Sequence, residues 1–157
     1  YQDQATLLRS AARGLNVRFI DENLTHEKVL GLIASADCYV SLHRSEGFGQ
    51  GMAEAMFMGK PVIATAYSGN LDFMTSENSF LVNYQLAELE QNYGPYEKGN
   101  RWAEPDLDHA AELMRQVYED RDLARRKAER AAADIRANHS RIVVGAKMRE
   151  RLRQITE

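Results

Sequence analysis

Along this chain, short apolar runs alternate with stretches in which apolar residues recur every three or four positions. Residues 4–13 carry Ala5, Leu8 and Ala12 on one side and meet Gly14, a residue suited to closing a helix. A strand is predicted over Val17 to Ile20, bounded by Asn16 and Asp21. Thr25 can then cap a helix in which Val29, Leu30, Leu32, Ile33 and Ala36 recur at helical spacing. Residues 38–42 (CYVSL) read as a compact strand, residues 50–58 as a helix stopped by Gly59, and residues 61–65 (PVIAT) as the next strand. Ser68-Gly69-Asn70 leads a short helical segment with Leu71, Phe73 and Met74, and residues 79–84 form a fourth strand. Strands that are almost continuously apolar, alternating with helices, mean parallel pairing with helices on both faces. The fold class is therefore α/β, a Rossmann-like parallel sheet. Residues 85–105, with Gly94, Pro95, Gly99 and Pro105 beside Tyr93, Tyr96 and Trp102, read as an ordered surface loop.

Three helical patterns finish the chain. Leu107, Ala110, Leu113, Met114 and Val117 make one apolar stripe, and Leu123, Ala124, Ala128, Ala131 and Ile135 a second. Ser140 can cap a last helix bearing Ile142, Val143, Ala146, Leu152 and Ile155. The organisation expected is one domain over residues 1–157, with an α/β part over 1–105 and C-terminal helices over 106–157.

Composition narrows the class without naming a function. A chain of 157 residues with 44% hydrophobic and 27% charged positions is globular, and area scaling for a compact chain of this size predicts that roughly 69% of its unfolded surface is buried. The net charge of −3 argues against a nucleic-acid partner. One cysteine, Cys38, makes no internal disulfide, and no apolar run reaches the roughly 18 residues of a membrane span. A cytoplasmic setting is expected. The four histidines lack metal-ligand spacing, so no metal site is expected.

The chemistry concentrates in residues 45–55 (SEGFGQGMAEA), between a strand and a helix. Free N–H groups and the positive end of a helix dipole converge at such a junction and suit a phosphate. Gly47, Gly49 and Gly51 let the backbone approach a ligand. Glu46 in the turn and Glu54 in the helix would repel a phosphate, so they suit neutral hydroxyls, where charge-assisted O–H···O bonds are strong. A ligand with phosphate and several hydroxyls, such as a sugar nucleotide, meets both demands. The glycine spacing does not match G-x-G-x-x-G, and Gly59-Lys60 lacks the rest of a P-loop. Asp106-Leu107-Asp108 follows Pro105 and reads as a helix start rather than a metal motif.

The pair Glu46 and Glu54 with seven residues between them, the Glu46-Gly47-Phe48-Gly49 turn, the Glu54-Ala55-Met56 helix and the run from Gly59 to Thr65 resemble the donor-binding domain of retaining family-four (group one) glycosyltransferases of the GT-B fold. The resemblance runs from about Val17 to the final helices and is strongest from Asp37 to Val82. It implies transfer of a glycosyl group, with retention, from a nucleoside-diphosphate sugar to a hydroxyl of a sugar, lipid or other acceptor. By position it places Glu46 beside the donor sugar as the catalytic residue, with Gly47, Phe48 and Gly49 against that sugar. Gln50 and Gly51 fall toward the diphosphate, Glu54 toward the ribose hydroxyls, and Ile20 and Asp21 toward the nucleobase; Arg44, which adjoins the motif, reads either as a contact to the donor sugar or phosphate or as a plain loop residue. It implies no cofactor beyond the donor substrate and no separate metal.

The family's opening strand, Gly turn, helix and second strand have no counterpart here, nor has its acceptor-binding domain. With Tyr1 rather than Met opening the sequence, the expectation is a fragment without turnover of its own, and membrane-peripheral only within a longer enzyme. Losing two strands would bare an apolar edge, so the chain is expected to self-associate through that edge or the last helix, or to pair residues 17–20 directly with 38–42. Two other classes stay open: a GT-B-fold carbohydrate epimerase, and a non-catalytic binding or interaction chain.

Overall fold

The computed structural model describes residues 2–156. In chain order the elements are α1 (Gln2–Ala11), α2 (His26–Ser35), β1 (Tyr39–Ser41), α3 (Gln50–Phe57), β2 (Val62–Thr65), a 3-10 turn (Gly69–Asp72), β3 (Phe80–Val82), β4 (Tyr84–Glu88), β5 (Arg101–Pro105), α4 (Leu107–Glu119), α5 (Arg121–His139) and α6 (Arg141–Thr156).

Strands β1, β2 and β3 form a parallel sheet in that order, with Val40 opposite Ile63 and Ala64 opposite Leu81. Strand β2 is central and buried along its whole length, because helices cover both of its faces. Its side chains alternate between two cores, as the pleat requires. Val62 and Ala64 join Ile33, Met52, Ala55, Met56, Ala131 and Ile135, whereas Ile63 joins Phe80, Val82, Ala110, Val117 and Ala124. Helices α2 and α3 therefore lie on one face and α4 on the other. Helix α5 reaches both, its first turns serving one core and its later turns the other.

Local signals set the boundaries. Thr25 accepts a hydrogen bond from the Lys28 N–H at the start of α2, and Asp106 accepts one from the His109 N–H at the start of α4 (3.0 Å). Helix α3 stops at Phe57, with Met58 as its cap and Gly59 at φ +70°.

Two expectations are corrected. Val17 to Ile20 form no strand and pair with nothing in the sheet. The turn just before them is closed locally, Val17 N–H to Leu15 O, and an apolar run with no neighbouring ladder is only exposed chain. Residues 85–105 are not a plain loop: β4 and β5 pair antiparallel, Leu86 opposite Ala103 and Ala87 opposite Trp102. The ribbon ends in a tip where Tyr93 and Tyr96 exchange backbone hydrogen bonds.

The accessible surface is 11,450 Å². A compact chain of 17.8 kDa would expose about 8,000 Å². The burial is therefore nearer 56% than 69%, and the excess lies in residues 4–24 and in α6, which has no buried residue.

Candidate functional site

The site is built on the connection from β1 to α3, at the carboxyl ends of the parallel strands, where open α/β sheets bind ligands. Gly49 caps α3 at φ +91°, a conformation natural to glycine, and no side chain bonds to the first turn. The N–H groups of that turn are left for a ligand. The Tyr39 hydroxyl packs directly under Gly51: a Cβ there would stand 2.6 Å from it, so any side chain would have to push the phenol aside. Burial first, then the carboxylates of Glu46 and of Glu54, push the Tyr39 phenol above its ordinary value. Both glutamates thus act electrostatically on the phenol that lies against the first turn of α3.

Both carboxylates are half-buried and anchored. Glu46 Oε1 accepts from the Gly47 N–H (2.8 Å). Glu54 Oε1 accepts from Gln50 Nε2 (2.9 Å) and lies 3.6 Å from His26 Nε2. Glu54 opens onto a groove of about 850 Å³, whose walls include His26, Leu30, Phe48, Gln50, His139 and Ile142. Phe48 is set by Phe73 (5.1 Å between ring centroids), which also meets His139 at 5.8 Å.

The loop after β2 clamps the motif turn at three points. His43 Nε2 donates to the Tyr67 carbonyl (2.9 Å), which leaves Nδ1 to accept from the Ser41 hydroxyl (3.3 Å). The Ser68 hydroxyl donates to the Glu46 carbonyl (2.5 Å). Gly69 lies so close that a Cβ on it would stand 1.8 Å from the Gly47 carbonyl oxygen. Ser68 is held at φ +80°, ψ −155°, a region nearly confined to glycine, so the clamp carries local backbone strain. Asn70 beneath it is fully buried and donates to the Thr65 carbonyl (3.1 Å).

Glu46, Gly47, Phe48, Gly49, Gln50, Gly51 and Glu54 are thus brought together. Arg44 is placed differently: its guanidinium makes two 2.7 Å bonds to Glu104 on β5 and lies 4.9 Å over the Trp102 ring. Ile20 and Asp21 stand apart from the groove. Asp21 pairs with Arg9 at the surface (3.1 Å), and Ile20 lines a recess with Arg18, Lys28 and Leu32, on a face of α2 other than that of His26 and Leu30. Tyr39 and Glu104 are neighbours of the motif that no local sequence signal announces. Glu104 is 60 positions from Arg44, a separation that no local pattern reports. Among the described residues no cluster of three His, Cys, Asp or Glu could hold a metal ion, and no helix is long and apolar enough to cross a membrane.

Fold and site together define a Rossmann-like α/β protein with a crevice that pairs helix N–H groups with two carboxylates. The chain belongs to the glycosyl transferases group 1 family, whose family model matches residues 2–92. Among solved structures it is similar to Anabaena HepE in complex with UDP and glucose, at 20% identity and a TM-score of 0.75, over 98% of this chain and 37% of that one. HepE in complex with UDP-glucose matches at 20% identity and 0.74 over the same shares. Sucrose-phosphate synthase from Thermosynechococcus elongatus matches at 21% and 0.75, over 99% of this chain and 34% of that one. The chain thus spans roughly a third of each of these proteins, and the likeness extends to the GT-B fold. No curated protein matches it.

Proposed function

We propose that this chain binds a nucleoside-diphosphate sugar and serves a retaining glycosyl transfer from that donor to an acceptor hydroxyl. One observation carries the reading: two anchored carboxylates, Glu46 and Glu54, flank the uncapped first turn of α3. The first-turn N–H groups, with Gln50 and Gly51, suit the diphosphate, because they offer positive ends of fixed dipoles that need no reorganisation as charge develops on the leaving group. Glu54 accepts the ribose hydroxyls. Glu46, with the backbone of Gly47, Phe48 and Gly49, faces the donor sugar. The HepE complexes with UDP, glucose and UDP-glucose support the class of ligand.

A second element of the reading is self-association through the free edge of β1 and the exposed face of α6, supported by the excess surface and by Val40 and Leu152 at 39% and 61% exposure. The single cysteine fits a reducing, cytoplasmic setting.

The donor reading is tested by calorimetric titration of the chain with UDP-glucose, UDP and GDP, alongside Glu54→Ala. Loss of a charge-assisted hydrogen bond costs about 1.5–3 kcal/mol. The variant is expected to bind the nucleotide roughly 10- to 100-fold more weakly while its melting temperature stays near that of the wild type. Equal binding by the two proteins removes Glu54 from the ribose site.

A further inference from the structure

We propose that Arg44 is a positioning residue rather than a ligand: clasped by the β4–β5 ribbon, it sets the backbone of the Glu46–Gly49 turn on which the donor sugar and phosphates rest. This rests on the donor reading given above.

Two of the three guanidinium nitrogens of Arg44 and one face of its plane are engaged by β5. Its Nε and one terminal nitrogen form the two-pronged pair with Glu104, and its flat face lies on Trp102. Its own backbone carbonyl accepts from the Ala103 N–H (3.0 Å), so residues 102, 103 and 104 of β5 all grip one residue just before the motif turn. The grip has a firm base. Trp102 packs against Tyr93 and Tyr96, at 5.2 and 6.2 Å between centroids, so the ribbon carries its own aromatic cluster from strand to tip.

Energetics point the same way. Arg44 and Glu104 are about half exposed, and a pair of that kind contributes little to overall stability. What a two-pronged, stacked guanidinium supplies is direction, because the planar fork admits one orientation where an ammonium admits many. Arg44 lies two residues before Glu46, whose carbonyl is held from the opposite side by Ser68. The turn is therefore gripped between two arms, the 66–70 loop and the ribbon. Glu54, on α3, is outside the grip, so the ribbon acts on the sugar-phosphate half of the site and not on the ribose half.

The test uses the full chain with Glu104→Gln and Arg44→Lys, titrated with UDP-glucose and with UMP. Both variants are expected to bind UDP-glucose about 10-fold more weakly and UMP within about 2-fold of the wild type. A misfolded variant would lose both ligands together. If Arg44 instead contacts the diphosphate directly, Glu104→Gln frees it, and UDP-glucose binds equally well or more tightly; that outcome overturns the proposal. Hydrogen exchange on the unliganded chain gives a readout independent of any donor. Amides of residues 46–49 are expected to exchange at least 10-fold faster in Glu104→Gln while those of α4 and α5 are unchanged, and unaltered protection at 46–49 also overturns it. If the wild type binds neither ligand but the exchange effect is present, the donor reading fails and the brace stands.

Discussion

Gly69 is the residue on which the site depends most sharply. Its space is taken by the backbone of Gly47, which cannot yield as a flexible side chain would, so Gly69→Ala has to push the two loops apart. The expected cost is about 3 kcal/mol, read as a fall in melting temperature of roughly 6–12 °C. Gly31, in the middle of α2, has open space around its Cβ position and an ordinary φ. Gly31→Ala is expected to stabilise by up to about 1 kcal/mol. If the two variants melt together, the loop contact has no energetic weight. Charge at this scale follows the same local logic. The Arg44 guanidinium holds the Glu104 carboxyl below its ordinary 4.5. A depressed carboxyl lends stability above its unfolded value and loses it as pH falls through the folded one, so this tie persists through the neutral range. Burial pushes the Cys38 thiol up to about 11, which leaves it a packing group at neutral pH.

Among the elements, α5 shows how composition becomes geometry. Ala124, Ala128, Ala131, Ala132 and Ile135 are buried along one face, and their small side chains let α5 lie close over Met52, Ala55 and Met56. Ala131→Leu is expected to cost about 1–3 kcal/mol through overpacking, measured as a lower urea midpoint at unchanged slope. A midpoint equal to that of the wild type would mean that the helix pair is loosely packed. The stripe itself is legible in the sequence, because the four-three-four spacing of Ala124, Ala128, Ala131 and Ile135 belongs to a helix face. The ribbon is less so: β4 is exposed along four of its five residues and lacks the alternation that marks a half-buried strand. Its pairing with β5 follows from a partner more than ten residues away. Val17 to Ile20 err in the other direction, since an apolar run announces a strand only when a neighbour offers a ladder.

At the scale of the whole molecule, the exposed surface exceeds that of a compact chain by about 3,500 Å², where a standard interface takes about 800 Å² from each partner. The proposed self-association would use the β1 edge and the exposed apolar residues of α6, among them Met148, Leu152 and Ile155. Sedimentation velocity across a 100-fold concentration range should show a rising average mass, reduced by Val40→Lys or by Leu152→Glu. A monomer at every concentration refutes it.

The sequence by itself determined the parallel α/β class, the helix ends at Thr25 and Gly59, and the motif between β1 and α3. Each of these rests on chemistry within a few residues: caps, periodicity, and the spacing of Glu46 from Glu54. Only the tertiary structure decided that the Tyr39 hydroxyl lies against Gly51 at the start of α3, that Gly69 locks onto Gly47, and that Arg44 turns to Glu104. Those contacts join residues up to 60 positions apart, and which surfaces meet is settled by packing of the whole chain rather than by any local pattern.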